Sequence, residues 1–437
     1  MSKYAKWLDS KDLNEGLTKI SSTKDIDVSG IQLSSDDDAI YIDEKDGHSL
    51  VIGATGSGKT QTIILPLINL SMIANESFVV NDVKAEMYKA CAKELKNRGY
   101  KVILIDFDNP LKGNYYNPFD MIKSVFSNNK SNAESIIELI ARYIYESSVT
   151  AETDMFWANS AMDFFSGIVS YMLSNDMEVT FNSVFDFANT LVDNKVCDEF
   201  KSKLDKTQNY YGYLSGTINS PMETRNSIIS VFNSELSKLV SNSEFKEMLS
   251  KTDFDINDID NKTAIFIVPN KYNKFSNLQA ILINELYEVL VNKDNNKKIN
   301  FILDDFDEIY PISNLASILN YSRGYNINFT CNIKSVMALK NKYKNQELDL
   351  IKLCFKNIIY LYSNDITTLN FISELCGNTQ NSKGDIEPLV TPEELKVINN
   401  FETLIIRTRT MPVRTKLKPS YQISWGYEPG SEELPEK

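Results

Sequence analysis

One segment, residues 48–74, limits what this chain can become more than any other. Leu50-Val51-Ile52 is an apolar run of the kind that forms a buried strand. Gly53-Ala54-Thr55-Gly56-Ser57-Gly58-Lys59-Thr60 follows at once and fits G-x-x-x-x-G-K-[ST]. A helix-forming stretch then runs from residue 59 to about 74. In such a strand–turn–helix, glycines let backbone N–H groups close around phosphate oxygens, and the helix adds its positive end. Lys59 would reach the β- and γ-phosphates, and the Thr60 hydroxyl would ligand Mg²⁺. The segment predicts a nucleoside triphosphate site built from Gly53, Ala54, Thr55, Gly56, Ser57, Gly58, Lys59 and Thr60, with Gln61 beside them. The alternative, a chance glycine-rich turn, does not account for the strand before it and the helix after it.

The rhythm around this segment predicts the fold class. Residues 77–82 read as a strand, 85–98 as a helix stopped by Gly99, and 101–106 as another strand. Strands alternating with helices imply an α/β fold with a mainly parallel sheet covered on both faces. From about 118 to 250 the periodicity is helical, with candidate helices at 133–147, 153–173, 184–191, 226–240 and 244–249. The α/β rhythm resumes with strands at 262–268, 299–304, 326–332, 357–362 and 402–406, and helices near 278–292, 315–322 and 367–376. The expected organisation is a nucleotide-binding domain in two parts, 1–117 and 258–417, an inserted all-α domain at 118–257, and an acidic tail at 418–437. Residues 1–48 read as short strands and loops leading into the core.

A phosphate-binding turn of this type needs a carboxylate at the end of a second buried strand. Asn300-Phe301-Ile302-Leu303-Asp304-Asp305 supplies one. Asp304 would hold Mg²⁺ through water, and Asp305 occupies the position where a hydrolytic enzyme often carries a glutamate that polarises the attacking water. Aspartate is one methylene shorter, which reduces its reach by roughly 1.5 Å. Asp307 and Glu308 follow, and either is placed to substitute. A strand-end acidic cluster facing solvent is the plainer reading.

Composition excludes other classes. The net charge of −13 rules out nucleic-acid binding through overall charge, leaving only a local basic patch. A single histidine, His48, excludes histidine triads and multi-histidine metal sites, and it reads as structural ahead of its strand. Five cysteines without a CxxC pair read as reduced thiols of a cytosolic protein. The N-terminus lacks a signal peptide's apolar run, and no stretch approaches the roughly 18 apolar residues of a spanning helix.

Several further segments, in order and spacing, resemble the coupling-protein ATPases of type IV secretion and conjugation. Asn81-Asp82-Val83-Lys84-Ala85-Glu86 with Gly99-Tyr100 resembles that family's D-P-K-G-E turn and R-G-Y helix end. Tyr116-Asn117-Pro118-Phe119 resembles its W-N-P-L, and Phe156-Trp157-Ala158-Asn159-Ser160-Ala161 its F-W-x-x-S-A. Leu303-Asp304-Asp305-Phe306 resembles L-D-E-F. Ser322-Arg323-Gly324, with Lys334-Ser335 beyond it, resembles S-R-G followed by Q-S. Asn364-Asp365 through Gly377 resembles its D-x-x-T-A-x-x-x-S-x-x-x-G.

The resemblance implies a RecA-type ATP- and Mg²⁺-binding domain interrupted by an all-α domain, assembled as a hexameric ring. In the ring Arg323 would complete a neighbour's ATP site, a role lysine fills poorly; a helix-end surface arginine is the plainer reading. The implied partners are DNA or a relaxase–DNA complex and the membrane-embedded components of a secretion channel. Family members usually begin with membrane-spanning helices, whereas this sequence begins at the ATPase domain. The expectation is a cytoplasmic protein, peripheral at the membrane through a partner. Three departures bear on turnover: Asp305 replaces glutamate, Lys334 replaces a γ-phosphate-sensing glutamine, and the D-P-K-G-E turn is altered. Slow hydrolysis, a nucleotide-gated scaffold and compensation by neighbours all remain open.

The remaining candidates read more plainly. Phe156 and Trp157 are expected in the core rather than stacking bases. Arg407, Arg409, Arg414, Lys416 and Lys418 form the one basic run, either a solvated strand edge or a surface facing DNA or relaxase. Lys84 and Glu86 lie near the expected site or form a simple helix-start pair. The leading function is an ATP-driven DNA-pumping motor; the second is a docking adaptor that binds nucleotide with little hydrolysis. A small-molecule kinase lacks an acceptor site and leaves the later motifs unexplained.

Overall fold

The computed structural model describes residues 4–435 apart from 24–25, 147–154, 256–258, 260–261, 273–274, 294–296, 429 and 431. A one-turn helix α1 (Ser10–Asn14) precedes β1 (Thr18–Ile20), β2 (Ile31–Ser35) and β3 (Ile40–Asp43), which form an antiparallel sheet in the order β1-β3-β2. Then come β4 (His48–Gly53), a π-turn (Thr60–Ile64), α2 (Leu65–Ile73), β5 (Ser77–Asn81), α3 (Glu86–Asn97) and β6 (Lys101–Asp106). Eight helices follow: α4 (Pro118–Phe126), α5 (Lys130–Tyr145), α6 (Met155–Ser174), α7 (Phe181–Thr190), α8 (Asn194–Lys203), α9 (Asn209–Ile218), α10 (Met222–Val240) and α11 (Ser243–Met248). The α/β alternation returns with β7 (Thr263–Val268), α12 (Ser276–Val291), β8 (Ile299–Leu303), α13 (Leu315–Ser322) and β9 (Ile327–Ile333). The last elements are α14 (Val336–Lys340), α15 (Asn345–Leu353), β10 (Phe355–Tyr362), α16 (Ile366–Cys376), a hairpin of β11 (Asn378–Gln380) and β12 (Ile386–Pro388), α17 (Pro392–Leu395), β13 (Glu402–Arg407) and β14 (Val413–Lys416).

Nine strands form one sheet in the order β14-β13-β10-β4-β9-β8-β5-β7-β6. From β10 to β7 every neighbouring pair is parallel, and β13 and β14 add antiparallel edges. The central strands β4, β5, β7, β8 and β9 are buried along their whole length, which is why they read as unbroken apolar runs rather than alternating ones. The α/β class with a mainly parallel sheet is as expected.

The chain divides into two compact units, one of residues 1–104, 258–269 and 287–434, the other of 105–257, 270–286 and 435–437. The helical unit thus begins before residue 118 and takes in most of α12; the expected limit at 257/258 falls outside the described residues. Within it, α6 and α9 approach so closely that a Cβ on Gly167 would stand 2.6 Å from Leu214 Cγ. Three of its helices, α4, α8 and α9, were not expected. Pro118 opens α4, five lysine, aspartate and glutamate residues dilute α8's apolar signal, and Gly212 and Gly216 lower α9's propensity. The expected helices at 133–147 and 153–173 are α5 and α6, with residues 147, 153 and 154 outside the described part.

The segment expected as an acidic tail is instead packed against the α/β unit. Trp425 is buried and its indole N–H donates to Ser420. Tyr427 and Leu434 pack on the core that joins α2, α3 and the sheet, and Glu432 pairs with Lys96. The apolar residues Trp425, Tyr427 and Leu434 carry this docking, which the acidic composition conceals.

Candidate functional site

The site grows from the C-terminal ends of β4 and β8, which lie on either side of β9. At the end of β4 the chain turns through Gly56 (φ 81°) and Gly58 (φ 91°), left-handed conformations that suit glycine. Gly53 is packed so tightly beneath the loop that a Cβ there would collide with Ser57 Oγ. The following helix opens with a π-turn, Leu65 N–H donating to Thr60 O, just ahead of Pro66, which has no N–H to give.

Lys59 is only 9% exposed, and its Nζ donates to Gly53 O and, at 3.4 Å, to Ala54 O. Burial lowers its pKa, against the pull of Asp304, Asp305 and Asp307. Asp304, at the end of β8, is buried and accepts from Asn332 Nδ2 at 3.4 Å, while Asn81 Nδ2 donates to its backbone carbonyl. Burial first, and the neighbouring Asp305 second, push the Asp304 carboxyl up to about 6, with Lys59 opposing. A carboxylate kept out of water in this way gains strongly from a nearby cation.

Asp305 holds a left-handed backbone (φ 45°) and begins a tight turn in which Glu308 N–H donates to Asp305 O at 2.7 Å. Lys334 lies across from it: Nζ is 3.3 Å from Asp305 Oδ2 and also pairs with Glu308, and its backbone N–H donates to Asp307 Oδ2 at 3.0 Å. Burial works against the charge on Lys334, but Glu308 and Asp305 outweigh it and raise its pKa. Asp307 faces inward, and burial raises its carboxyl above the usual range.

Lys59, Asp304, Asp305, Glu308 and Lys334 line one cavity of about 640 Å³. It takes in the loop from Ala54 to Gln61, the turn from Asp82 to Met87, and Asp304, Asp305, Glu308 and Lys334. Gly53 lies beneath the loop rather than on the cavity wall. Lys84 and Glu86 are exposed at its edge, 3.8 Å apart. Of the expected site residues only Arg323 stands elsewhere: it is exposed at the end of α13, donating to Asn320 Oδ1 at 3.2 Å.

The sequence reading overlooked Asp82 as a chemical group. It is fully buried, accepts Tyr88 N–H at 2.7 Å, and is raised to about 6 by burial. Its Oδ1 and Ser57 Oγ are buried without a protein partner. The strand-end position of Asp82, one strand over from Asp304, was the available signal.

One plainer reading is corrected. Phe156 is 52% exposed beside the partly buried Trp157, because it sits in the first turn of α6, ahead of the Ala158, Ala161 and Phe165 core face. The basic run is a solvated strand edge in most of its length, with Arg409, Arg414 and Lys416 exposed and the last two on the edge strand β14. Arg407 pairs with the buried Asp43 at 2.9 Å, Arg414 stacks over Trp7 at 4.6 Å, and Lys418 donates to Asp37 O. His48 is buried, with Phe329 N–H donating to Nδ1 at 3.0 Å and Nε2 paired with Leu319 O, so it is structural as expected.

Comparison with known proteins agrees with this fold. The family model described as "Type IV secretory system Conjugative DNA transfer" matches residues 5–384. No curated protein sequence matches. Among solved structures, plasmid coupling protein TrwB in complex with the non-hydrolysable ATP analogue ADPNP is similar at TM-score 0.69 and 14% identity, over 95% of this chain and 94% of that one. TrwB in complex with ADP and Mg²⁺ gives TM-score 0.69 and 13% identity, with the same coverage of both chains. VirB4 of Thermoanaerobacter pseudethanolicus gives TM-score 0.56 and 13% identity, over 90% of this chain and 98% of that one. The fold is thus shared with TrwB and VirB4.

Proposed function

Because the chain belongs to the type IV secretory system conjugative DNA transfer family, we propose that it is an ATP-driven coupling protein that moves DNA, alone or with an attached relaxase, to a secretion channel. The observation that carries this reading is the convergence of Lys59, Thr60 and Asp304 on one cavity under a glycine loop. The fit to a nucleotide and its metal rests on this chain's own groups. The loop has no room for a side chain at Gly53, Lys59 Nζ lies against the loop carbonyls, and Ser57 Oγ and Asp82 Oδ1 are buried and unpartnered. TrwB, of the same fold, is in complex with ADPNP and with ADP and Mg²⁺.

In this reading the loop N–H groups and Lys59 bind the β- and γ-phosphates, and Thr60 and Asp304 hold Mg²⁺, Asp304 through water. Mg²⁺ held there would supply positive charge to neutralise the phosphates. Asp305 orients the attacking water, and Lys334 fixes the Asp305 carboxylate and stands where it can meet a γ-phosphate. Arg323, exposed and outside its own cavity, serves the site of a neighbouring subunit in a hexameric ring. Among the described residues no helix is long and apolar enough to cross a membrane, and we assign membrane attachment to a partner protein.

A second reading has one observation in its favour. Asp305 is tied into an ion pair with Lys334, and a paired carboxylate is a poor base. An adaptor that binds nucleotide and docks cargo without pumping would tolerate that. Equilibrium binding of ATP measured beside steady-state turnover on the same preparation separates the two: a motor binds and hydrolyses, an adaptor binds and barely hydrolyses.

A further inference from the structure

The helical unit holds a second cavity, of about 480 Å³, that the nucleotide chemistry does not use. Its wall is the Tyr116-Asn117 segment that leads into α4, and its far side is α12. Four carboxyl groups line it, Asp120, Asp253, Asp255 and Glu285, and among the described residues no lysine or arginine does. Asp120, Asp253 and Asp255 are exposed. Glu285 is different: it is 3% exposed, its Oε2 accepts the Tyr116 hydroxyl, and its Oε1 is buried without any hydrogen-bond partner. A buried oxygen left unpaired costs about 1–3 kcal/mol, which a donor of the right charge would recover.

The framework around the cavity is rigid. Asp120 accepts Thr252 N–H at 2.8 Å and Asn117 Nδ2 at 3.2 Å, Asn117 N–H donates to Thr252 Oγ1 at 3.0 Å, and Asp253 accepts Asn114 Nδ2 at 2.8 Å. Tyr116, Met121 and Phe254 supply the apolar part of the lining.

We propose that this cavity binds a linear primary amine, its ammonium seated against Glu285 Oε1 and its positively charged remainder held by Asp120, Asp253 and Asp255. The chemistry selects the class. A single buried acceptor suits the point charge of an ammonium better than the two-pronged guanidinium. Among the described residues no three His, Cys, Asp or Glu side chains are placed to hold a metal ion. The apolar part of the lining suits a methylene chain. Burial holds the Glu285 carboxyl well above the ordinary range, with the charge of Asp120 adding to this, and an arriving ammonium reverses that preference. Two sources offer this group: a free polyamine and the lysine side chain of a peptide.

Isothermal titration calorimetry of the full chain, in about 150 mM salt to suppress loose counterion binding, tests the proposal with spermidine in one arm and tetralysine in the other. The expected result is saturable binding of at least one; spermidine alone identifies a free polyamine, and tetralysine alone a peptide lysine. Glu285→Gln keeps the shape and should weaken binding by about 30-fold or more, since it removes one partner of a buried charge pair. The doubly exchanged Asp253→Asn/Asp255→Asn protein alters exposed groups only, so it retains its fold if Glu285→Gln does not, and should lose about two- to five-fold per charge. Failure of both probes to saturate overturns the proposal. Affinity unchanged in the folded variants overturns it equally.

Discussion

Protonating His48 should cost the fold about 3 kcal/mol. The imidazole is buried at the start of β4, Nδ1 accepts the Phe329 N–H, and burial pushes its pKa down to about 4, with the Leu319 carbonyl opposing and Arg323 contributing. In the unfolded chain it titrates at about 6.5. Above pH 6.5 both states are neutral and the full stability is present. Between 6.5 and 4 the unfolded chain takes up a proton that the folded chain refuses, so stability falls as pH falls; below 4 the loss is complete. The difference of about 2.5 pH units, at 1.36 kcal/mol each, gives the 3 kcal/mol. Asp82 and Asp304, both raised to about 6, change stability in the opposite sense over much of the same interval. The diagnostic quantity is therefore the stability of the native chain minus that of His48→Gln, followed by denaturant unfolding from pH 7.5 to 4. It should shrink by about 3 kcal/mol as pH falls. The chain has one histidine, so its ring resonances in proton NMR report the same event directly. A native-state imidazole titrating near 6.5, or a flat difference curve, would refute the reasoning.

Three further outcomes are expected. Asp305→Glu should raise steady-state ATP turnover by restoring the reach of a longer carboxylate past Lys334, and a fall in kcat would mean the site is adapted to aspartate. Arg323→Ala should leave nucleotide affinity unchanged and lower turnover of the assembled protein by about 10³-fold, the scale of an arginine finger; retained turnover in the oligomer removes that assignment. Gly167→Ala should lower the melting temperature: overpacking against Leu214 costs about 1–3 kcal/mol, more than the roughly 1 kcal/mol gained in helix propensity, and a rise in Tm would show that α9 can shift.

Local signals made much of this molecule legible. The phosphate loop, the buried strands and Asp304 are contiguous patterns in which residue type and spacing dictate conformation, and each lies where its sequence suggests. What stayed hidden depends on partners distant in the chain. The ion pair of Lys334 with Asp305 spans a turn, a helix and a strand, and the capture of Arg407 by Asp43 spans most of the sequence. Trp425, Tyr427 and Leu434 dock part of a segment that the sequence marks only as an acidic tail. Phe156 shows the converse: a strongly apolar residue at the first turn of α6 lies outside the face that α6 buries. Glycines 212 and 216 weaken the helical signal of α9 in the sequence, whereas packing across α6 holds it helical. Pairings between residues far apart in sequence leave no periodic trace.

The central claim is nucleotide turnover coupled to DNA. Steady-state ATP hydrolysis by the purified chain, with and without single- and double-stranded DNA and with Lys59→Ala as the blank, tests it most directly. The account predicts hydrolysis that DNA stimulates and that Lys59→Ala abolishes. Turnover that survives in Lys59→Ala, or a wild-type chain that binds ATP but shows no turnover with either form of DNA, would contradict it.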